Sequence, residues 1–146
     1  MYTGFLHLHN TLRWLILIIA FVTLIKYFIG WFSQKSWQKA DNILGIIFMS
    51  AMDLQLLVGL VLYFFLSPIT HTAFQNIGEA MKNADLRFYL VEHVFMMLIA
   101  IALVHVGRSR SKKALLSRRK YGLALLYYGV AYIIILSAIP WGRVIM

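Results

Sequence analysis

Four long runs of apolar residues constrain this chain more than any other feature of its sequence. They lie at about residues 6–32, 43–66, 86–105 and 121–139, and Pro140 ends the last of them. Each is close to the roughly 20 residues that an α-helix needs to cross about 30 Å of hydrocarbon. A bilayer offers no hydrogen-bond partners to backbone groups, so such segments form helices. The sequence therefore predicts an all-α integral membrane four-helix bundle, organised as a single transmembrane domain.

The composition also favours a membrane protein. Of the 146 residues, 62% are hydrophobic and 13% are charged, against about 45–50% and about 25% in ordinary soluble domains. A soluble chain of this length has too little interior to cover so much apolar surface. The chain has no cysteine, which excludes disulfides and thiolate metal sites. No secretory signal peptide is expected, because the first residues lack a basic segment and no cleavage site follows the first apolar run.

Lysine and arginine residues in the connections predict the orientation of the bundle. Nine cations lie in the two short connections: Lys35, Lys39, Arg108, Arg110, Lys112, Lys113, Arg118, Arg119 and Lys120. Three lie on the opposite side: Lys82, Arg87 and Arg143. Short basic connections stay in the cytoplasm, so we expect both termini outside a bacterial inner (cytoplasmic) membrane. The net charge of +9 then reflects the membrane topology. The basic connections are expected to contact the headgroups of membrane lipids, and no nucleic-acid partner is expected.

The connection over residues 67–85 is the longest one and lies on the predicted outer side. Phe74, Ile77 and Met81 follow helical spacing within it, opposed by polar residues. An amphipathic segment of this kind is typical of a helix in the plane of the interface. The sequence predicts one short interfacial helix in this outer loop.

Ionisable residues inside the spans point to function, because each is costly in lipid unless it is paired. Arg13 and Glu92 lie at similar depths below the outer ends of their helices, so they are expected to meet. Such a pair is either structural or leaves Glu92 to handle protons. Asp53 lies near the middle of the second span and is expected to be protonated or to pair with His93 or His105.

The histidines raise the question of a metal cofactor. Imidazoles inside a helical bundle commonly bind haem iron, with the two axial ligands on facing helices. His93 is inside the third span, and its potential partners are His7 and His9 at the outer end of the first span, with His71 in the loop. His105 lies about 18 Å from His93 along the helix, on a side without other histidines. The residues thus allow at most one bis-histidine haem, near the outer side; a structural, hydrogen-bonded role for each histidine is the alternative.

Four different sets of short motifs are spread over nearly the whole chain. They are His9-Asn10-Thr11-Leu12-Arg13-Trp14, Gln55-Leu56-Leu57-Val58-Gly59-Leu60 with Tyr63-Phe64, Val91-Glu92-His93 through Met97-Leu98 to His105-Val106-Gly107-Arg108, and Ile139-Pro140-Trp141. Together they resemble small four-helix bacterial membrane proteins of the Bacteroidetes type that are labelled cytochrome b-like. The resemblance implies haem b, with His9, His93 and His105 as ligand candidates and Arg13 and Glu92 as their polar support. Members of that family tend to have a histidine where this chain has Asp53, which argues against a second, inner haem.

These observations leave three functional hypotheses. The first is a haem b-binding membrane electron-transfer protein or cytochrome subunit of a respiratory complex, with His9 and His93 on the haem iron, Arg13 near a propionate and quinone as the redox partner. The second is a haem-free accessory or assembly subunit that contacts partner membrane subunits or a second copy. The third is a proton or ion pathway through Asp53, Glu92 and His105. The sequence contains no phosphate-binding loop and no Ser/His/Asp arrangement, so no catalytic residue is assigned.

Overall fold

The computed structural model describes residues 1–142; residues 143–146, including the Arg143 counted above, lie outside the described part. Within residues 1–142 the chain is helical, with no strand. The α-helices are α1 (Tyr2–Phe32), α2 (Lys39–Val61), α3 (Pro68–Gln75), α4 (Ile77–Lys82), α5 (Ala84–Arg87), α6 (His93–Lys113) and α7 (Ser117–Ala138). A π-helical turn continues α2 over Leu62–Leu66, and another joins α5 to α6 over Phe88–Glu92.

Four of the resulting helical segments are long and apolar enough to cross a membrane, as predicted. They are Tyr2–Phe32, Lys39–Leu66, Ala84–Lys113 and Ser117–Ala138. The third continues to Lys113, beyond the predicted end at residue 105, because Lys and Arg are good helix formers and stabilise a helix C-terminus. The fourth ends one residue before the predicted limit, at Ala138.

The connection over residues 67–85 is helical, but it forms three short helices where the sequence predicted one. Each begins at a residue whose side chain accepts hydrogen bonds from backbone N–H groups of the first turn: Ser67, Asn76 and Asn83. Because such caps favour a helix start, the two asparagines divide the segment. The three residues whose spacing suggested a helix are exposed: Phe74, Ile77 and Met81. Their position at a membrane interface stays a prediction.

Each of the four long helices packs on two neighbours. α1 packs on α2 and α7, and α6 packs extensively on α7 but sparsely on α2. α1 and α6 therefore face each other diagonally across the bundle. The α6–α7 contact is close because Gly107 has no side chain: a Cβ there would collide with the Cβ of Tyr127, which cannot rotate away. Small residues at such contacts are typical of membrane helix packing.

Both short connections lie at one end of the bundle, which we call the basic end. The Trp37 N–H between α1 and α2 donates to Ser117 Oγ, at the start of α7, over 2.9 Å. The cations of the two connections are thereby gathered at the same end, as the charge pattern requires. Which side of the membrane this end faces stays a prediction.

A buried carboxylate, Asp41, joins three helices near the basic end. Its side chain is fully buried and lies 2.8 Å from Lys26 Nζ of α1. Its Oδ2 accepts hydrogen bonds from Tyr121 OH of α7 at 2.6 Å and from Gln38 N–H at 2.8 Å. The Asp41 carbonyl accepts a further bond from Tyr27 OH at 2.5 Å. A buried charge needs this degree of pairing to offset its lost hydration, so Asp41 fixes the register of α1, α2 and α7.

Candidate functional site

His9 of α1 and His93 of α6 meet in the half of the bundle away from the basic end. Their ring centroids lie 6.3 Å apart, and the ring planes are inclined at 67°. The diagonal packing of α1 and α6 accounts for the meeting, because both side chains point toward the bundle axis from opposite corners. We call these two residues, with Arg13 and Gln55 described below, the histidine site.

The end of α7 orients His93. Pro140 has no backbone N–H, so α7 ends at Ala138 and leaves its last carbonyls without helical partners. The Leu136 carbonyl accepts from the Trp141 indole N–H at 2.8 Å, and the Ala138 carbonyl lies 2.8 Å from His93 Nδ1. A carbonyl only accepts, so Nδ1 carries the proton and a neutral His93 presents the Nε2 lone pair. Metal-binding histidines are commonly oriented by a bond of this kind.

His9 is in a different environment. No described residue hydrogen-bonds to its ring, and Nδ1 is buried without a partner. The ring packs against α2 at Gly59, where an added Cβ would lie 3.2 Å from His9 Cε1. Glycine at this position therefore lets the imidazole lie close to the α2 backbone, with its nitrogens free of protein partners.

A cavity of about 160 Å³ connects the two histidines. It lies between α1, α2 and α6, under α3 and the end of α7, and its walls are largely apolar. Its lining includes His9, Arg13, Ile16, Met52, Gln55, Gly59, Tyr63, His93, Met97 and Pro140. The sparse packing between α2 and α6 leaves this part of the bundle less tightly closed than the α6–α7 side.

Three buried polar atoms in this cavity wall have no hydrogen-bond partner among the described residues. They are His9 Nδ1, Arg13 Nε and Gln55 Oε1. Gln55 is held in place because its Nε2 donates to the His9 carbonyl at 2.9 Å, and the Arg13 guanidinium lies 5.4 Å from the Trp14 ring centroid. Each unsatisfied buried polar group costs about 1–3 kcal/mol. Three such atoms therefore lie on residues that line one cavity.

The expected pair between Arg13 and Glu92 does not form. Glu92 instead binds Arg87, with 2.8 Å between Oε1 and Nε. The π-helical turn over Phe88–Glu92 explains this choice, because it pairs residues five apart and brings Arg87 and Glu92 onto the same side. Glu92 therefore lies at the rim of the bundle away from the basic end, and Arg13 remains available to the cavity.

The other histidines lie away from the histidine site. His105 Nε2 is 2.7 Å from Asp53 Oδ1, so of the two partners considered for Asp53 the structure selects His105. His71 is exposed in α3, with Nε2 3.4 Å from the Phe64 carbonyl, and His7 is also exposed. Of the three predicted cofactor ligands, His9 and His93 come together, and His105 lies with Asp53.

The histidine site has too few protein ligands for a metal ion bound only by protein. Among residues 1–142 no three or more His, Asp or Glu side chains converge on one point, whereas zinc sites use three or four protein ligands. A porphyrin supplies four nitrogens itself, so two histidines would be enough to hold a haem. In this structure the two rings, with centroids 6.3 Å apart and planes inclined at 67°, make an edge-to-face contact.

The cavity is small for a ligand as large as a macrocycle. At about 160 Å³ it is smaller than the roughly 300–1,000 Å³ of pockets that enclose drug-sized ligands. A macrocycle between His9 and His93 would therefore also occupy the space between α2 and α6, where the bundle packs least. Haem binding at this site requires these two helices to move apart.

Sequence reasoning overlooked two groups that shape the site. The free Ala138 carbonyl could have been anticipated from Pro140. A proline at this position ends the helix and leaves the last carbonyls without helical hydrogen-bond donors. The contact of Gly59 with His9 had no sequence signal, since a glycine in an apolar span is compatible with many packings. Comparison with family models, curated proteins and solved structures finds no match to the chain.

Proposed function

We propose that the chain is a haem b-binding membrane electron-transfer protein, or the cytochrome subunit of a respiratory complex. The observation that carries the proposal is the meeting of His9 and His93 at a cavity lined by three polar atoms without a hydrogen-bond partner among the described residues: His9 Nδ1, Arg13 Nε and Gln55 Oε1. The resemblance of its motifs to cytochrome b-like membrane proteins agrees with it. Haem bound there would supply one-electron transfer through its ferric and ferrous states.

The residues of the histidine site have separate roles in this proposal. His93 and His9 bind iron from α6 and α1, and the Ala138 carbonyl holds the His93 ring and raises its basicity. Arg13 lies one helical turn from His9 and offsets the charge of a propionate, with Gln55 as a further polar contact. The apolar walls exclude water and thereby help to set the redox potential.

The proposal includes an orientation and partners. Cations gather at the basic end, which supports placing that end in the bacterial cytoplasm and both termini outside. The histidine site then lies toward the outer leaflet, and the short helices α3 and α4 lie along the interface with Phe74, Ile77 and Met81 toward lipid. A membrane quinone is the redox partner with access to a site at this depth.

A haem-free accessory or assembly subunit is the second candidate function. It is favoured by the Asp53–His105 pair, which is only half-buried although it lies on a membrane-spanning surface. Polar groups in such positions commonly contact partner helices. In that case the polar atoms around the cavity would be satisfied by a partner side chain or water.

The two candidates differ in haem stoichiometry and coordination. Titration of the detergent-purified protein with haem is expected to saturate at about one haem per chain, with a low-spin ferric paramagnetic resonance spectrum of two axial imidazoles. The His9→Ala variant is expected to give a high-spin spectrum, and His71→Ala serves as a matched control from the exposed loop. Absence of saturable uptake would support the accessory subunit, and a low-spin spectrum retained in His9→Ala would remove His9 from the site.

A further inference from the structure

The Asp53–His105 pair lies in an unusual position for a polar contact. Asp53 is near the middle of the second membrane-spanning segment, Lys39–Leu66, with about 20 Å of helix on either side. His105 Nε2 is 2.7 Å from Asp53 Oδ1, yet the two side chains are 45% and 44% exposed, respectively. Lipid cannot hydrogen-bond the exposed remainder, so the pair is unfavourable on a surface that faces only hydrocarbon.

The surroundings of the pair differ from the rest of the apolar surface. Two stripes at helical spacing flank it, and we call them together the α2–α6 face: Ile46, Ser50, Asp53 and Leu57 on α2, with Leu98, Ala102, His105 and Ser109 on α6. Ser50, Ala102 and Ser109 are small and exposed. The exposed positions in the middle of α1 and α7, by contrast, carry large apolar residues: Ile18, Phe21, Val22, Ile25, Leu126, Val130 and Ile133.

Membrane helices commonly pack on one another through small and polar residues. Small side chains allow close approach, and polar side chains hydrogen-bond across the contact. Within the described chain Asp53 Oδ2 and His105 Nδ1 have no hydrogen bond. When the pair is an ion pair, Oδ2 of the carboxylate is an acceptor and Nδ1 of the imidazolium is a donor. The face complements itself in that state.

We propose that the α2–α6 face is a twofold interface with a second copy of this chain. In such an isologous contact the same patch meets itself. Asp53 Oδ2 of each copy accepts from His105 Nδ1 of the other, and Ser50 and Ala102 lie near the twofold axis. Neither residue lines the cavity at the histidine site, so the interface can be tested on the haem-free protein.

The absence of cysteine from the chain makes a direct test possible. Ser50→Cys and Ala102→Cys, each reconstituted at low protein-to-lipid ratio and oxidised, are expected to give a disulfide-linked dimer. Ile133→Cys, on the exposed side of α7, is the matched control and is expected to remain monomeric. Adding Asp53→Ala and His105→Ala to Ser50→Cys is expected to lower the dimer yield about threefold to thirtyfold, the range of interhelical polar contacts in membranes.

The outcomes separate this interface from random collision and from another occupant. Equal cross-linking of Ile133→Cys and Ser50→Cys would overturn the proposal, as would a dimer yield that is unaffected by the Asp53 and His105 changes. Monomer at both Ser50→Cys and Ala102→Cys would also overturn it and would assign the α2–α6 face to a different membrane subunit. Variants are compared at equal circular dichroism, so that loss of helix is not mistaken for loss of contact.

Discussion

Replacing His93 with alanine is expected to abolish stable haem binding while leaving a helical, membrane-inserted protein. Removing an axial ligand should lower haem affinity by more than about 100-fold, since changes in groups that merely support a metal ligand cost about 10–100-fold. The substitution also leaves the Ala138 carbonyl without its 2.8 Å partner, which costs about 1–3 kcal/mol of stability. Haem per chain in the purified protein measures the first effect, and thermal unfolding in detergent measures the second.

The control for this prediction is His105→Ala, because His105 is also a histidine of α6 but is bonded to Asp53. It is expected to retain haem. Free imidazole added to His93→Ala fills the space left by the side chain and is expected to restore part of the low-spin spectrum. Equal haem content in the two variants would show that His93 is not a ligand.

Asp41→Ala is expected to give a large loss of stability. It leaves Lys26 Nζ, Tyr121 OH and Gln38 N–H without the carboxylate that accepts from all three. Each lost hydrogen bond to a charged group costs about 1.5–3 kcal/mol, whereas Lys26, whose side chain is 42% exposed, does not become an unpaired buried charge. A denaturant or thermal unfolding curve in detergent measures the loss, and haem content per folded chain is expected to stay unchanged because Asp41 lies near the opposite end of the bundle.

A matched carboxylate is available for comparison. Glu79 forms an ion pair with Lys82 at 3.1 Å, with both side chains largely exposed, and exposed pairs contribute about 0–1 kcal/mol. Glu79→Ala should therefore change stability little. Similar losses for the two variants would show that Asp41 does not join the helices as described.

The fold was largely predictable because the dominant constraint is local. A span must be apolar over its own length, so the four membrane-crossing helices could be located without knowledge of their neighbours. Their ends were less predictable. The basic residues after His105 extend α6 to Lys113, beyond the apolar run, since helix propensity does not depend on hydrophobicity.

Contacts between helices were harder to predict, because they depend on local geometry that hydropathy does not encode. Equal depth suggested that Arg13 would meet Glu92, but the π-helical turn before α6 presents Glu92 to Arg87 instead. Asp41 was overlooked since it precedes the apolar run of α2. Its bond from the Gln38 N–H is local, but Gln-x-x-Asp departs from the usual Ser/Thr-x-x-Glu/Gln capping pattern, and its partner Tyr121 is eighty residues away.

The histidine site was only partly predictable. His9 and His93 were expected to approach each other because both lie near the outer ends of apolar helices, and the diagonal placement of α1 and α6 brings their ring centroids to 6.3 Å. The sequence could not give that placement, since helix order around a bundle depends on which faces pack. It also could not show that Arg13 Nε and Gln55 Oε1 lack partners in the same cavity.

The visible absorption spectrum of the detergent-purified protein, recorded oxidised and then reduced with dithionite, tests the central claim most directly. Haem held between His9 and His93 predicts a Soret band that sharpens and shifts on reduction, with the α and β bands of a low-spin b-type haem. A preparation that is colourless, and whose protein takes up no haem when haem is added and the excess removed, would contradict the claim.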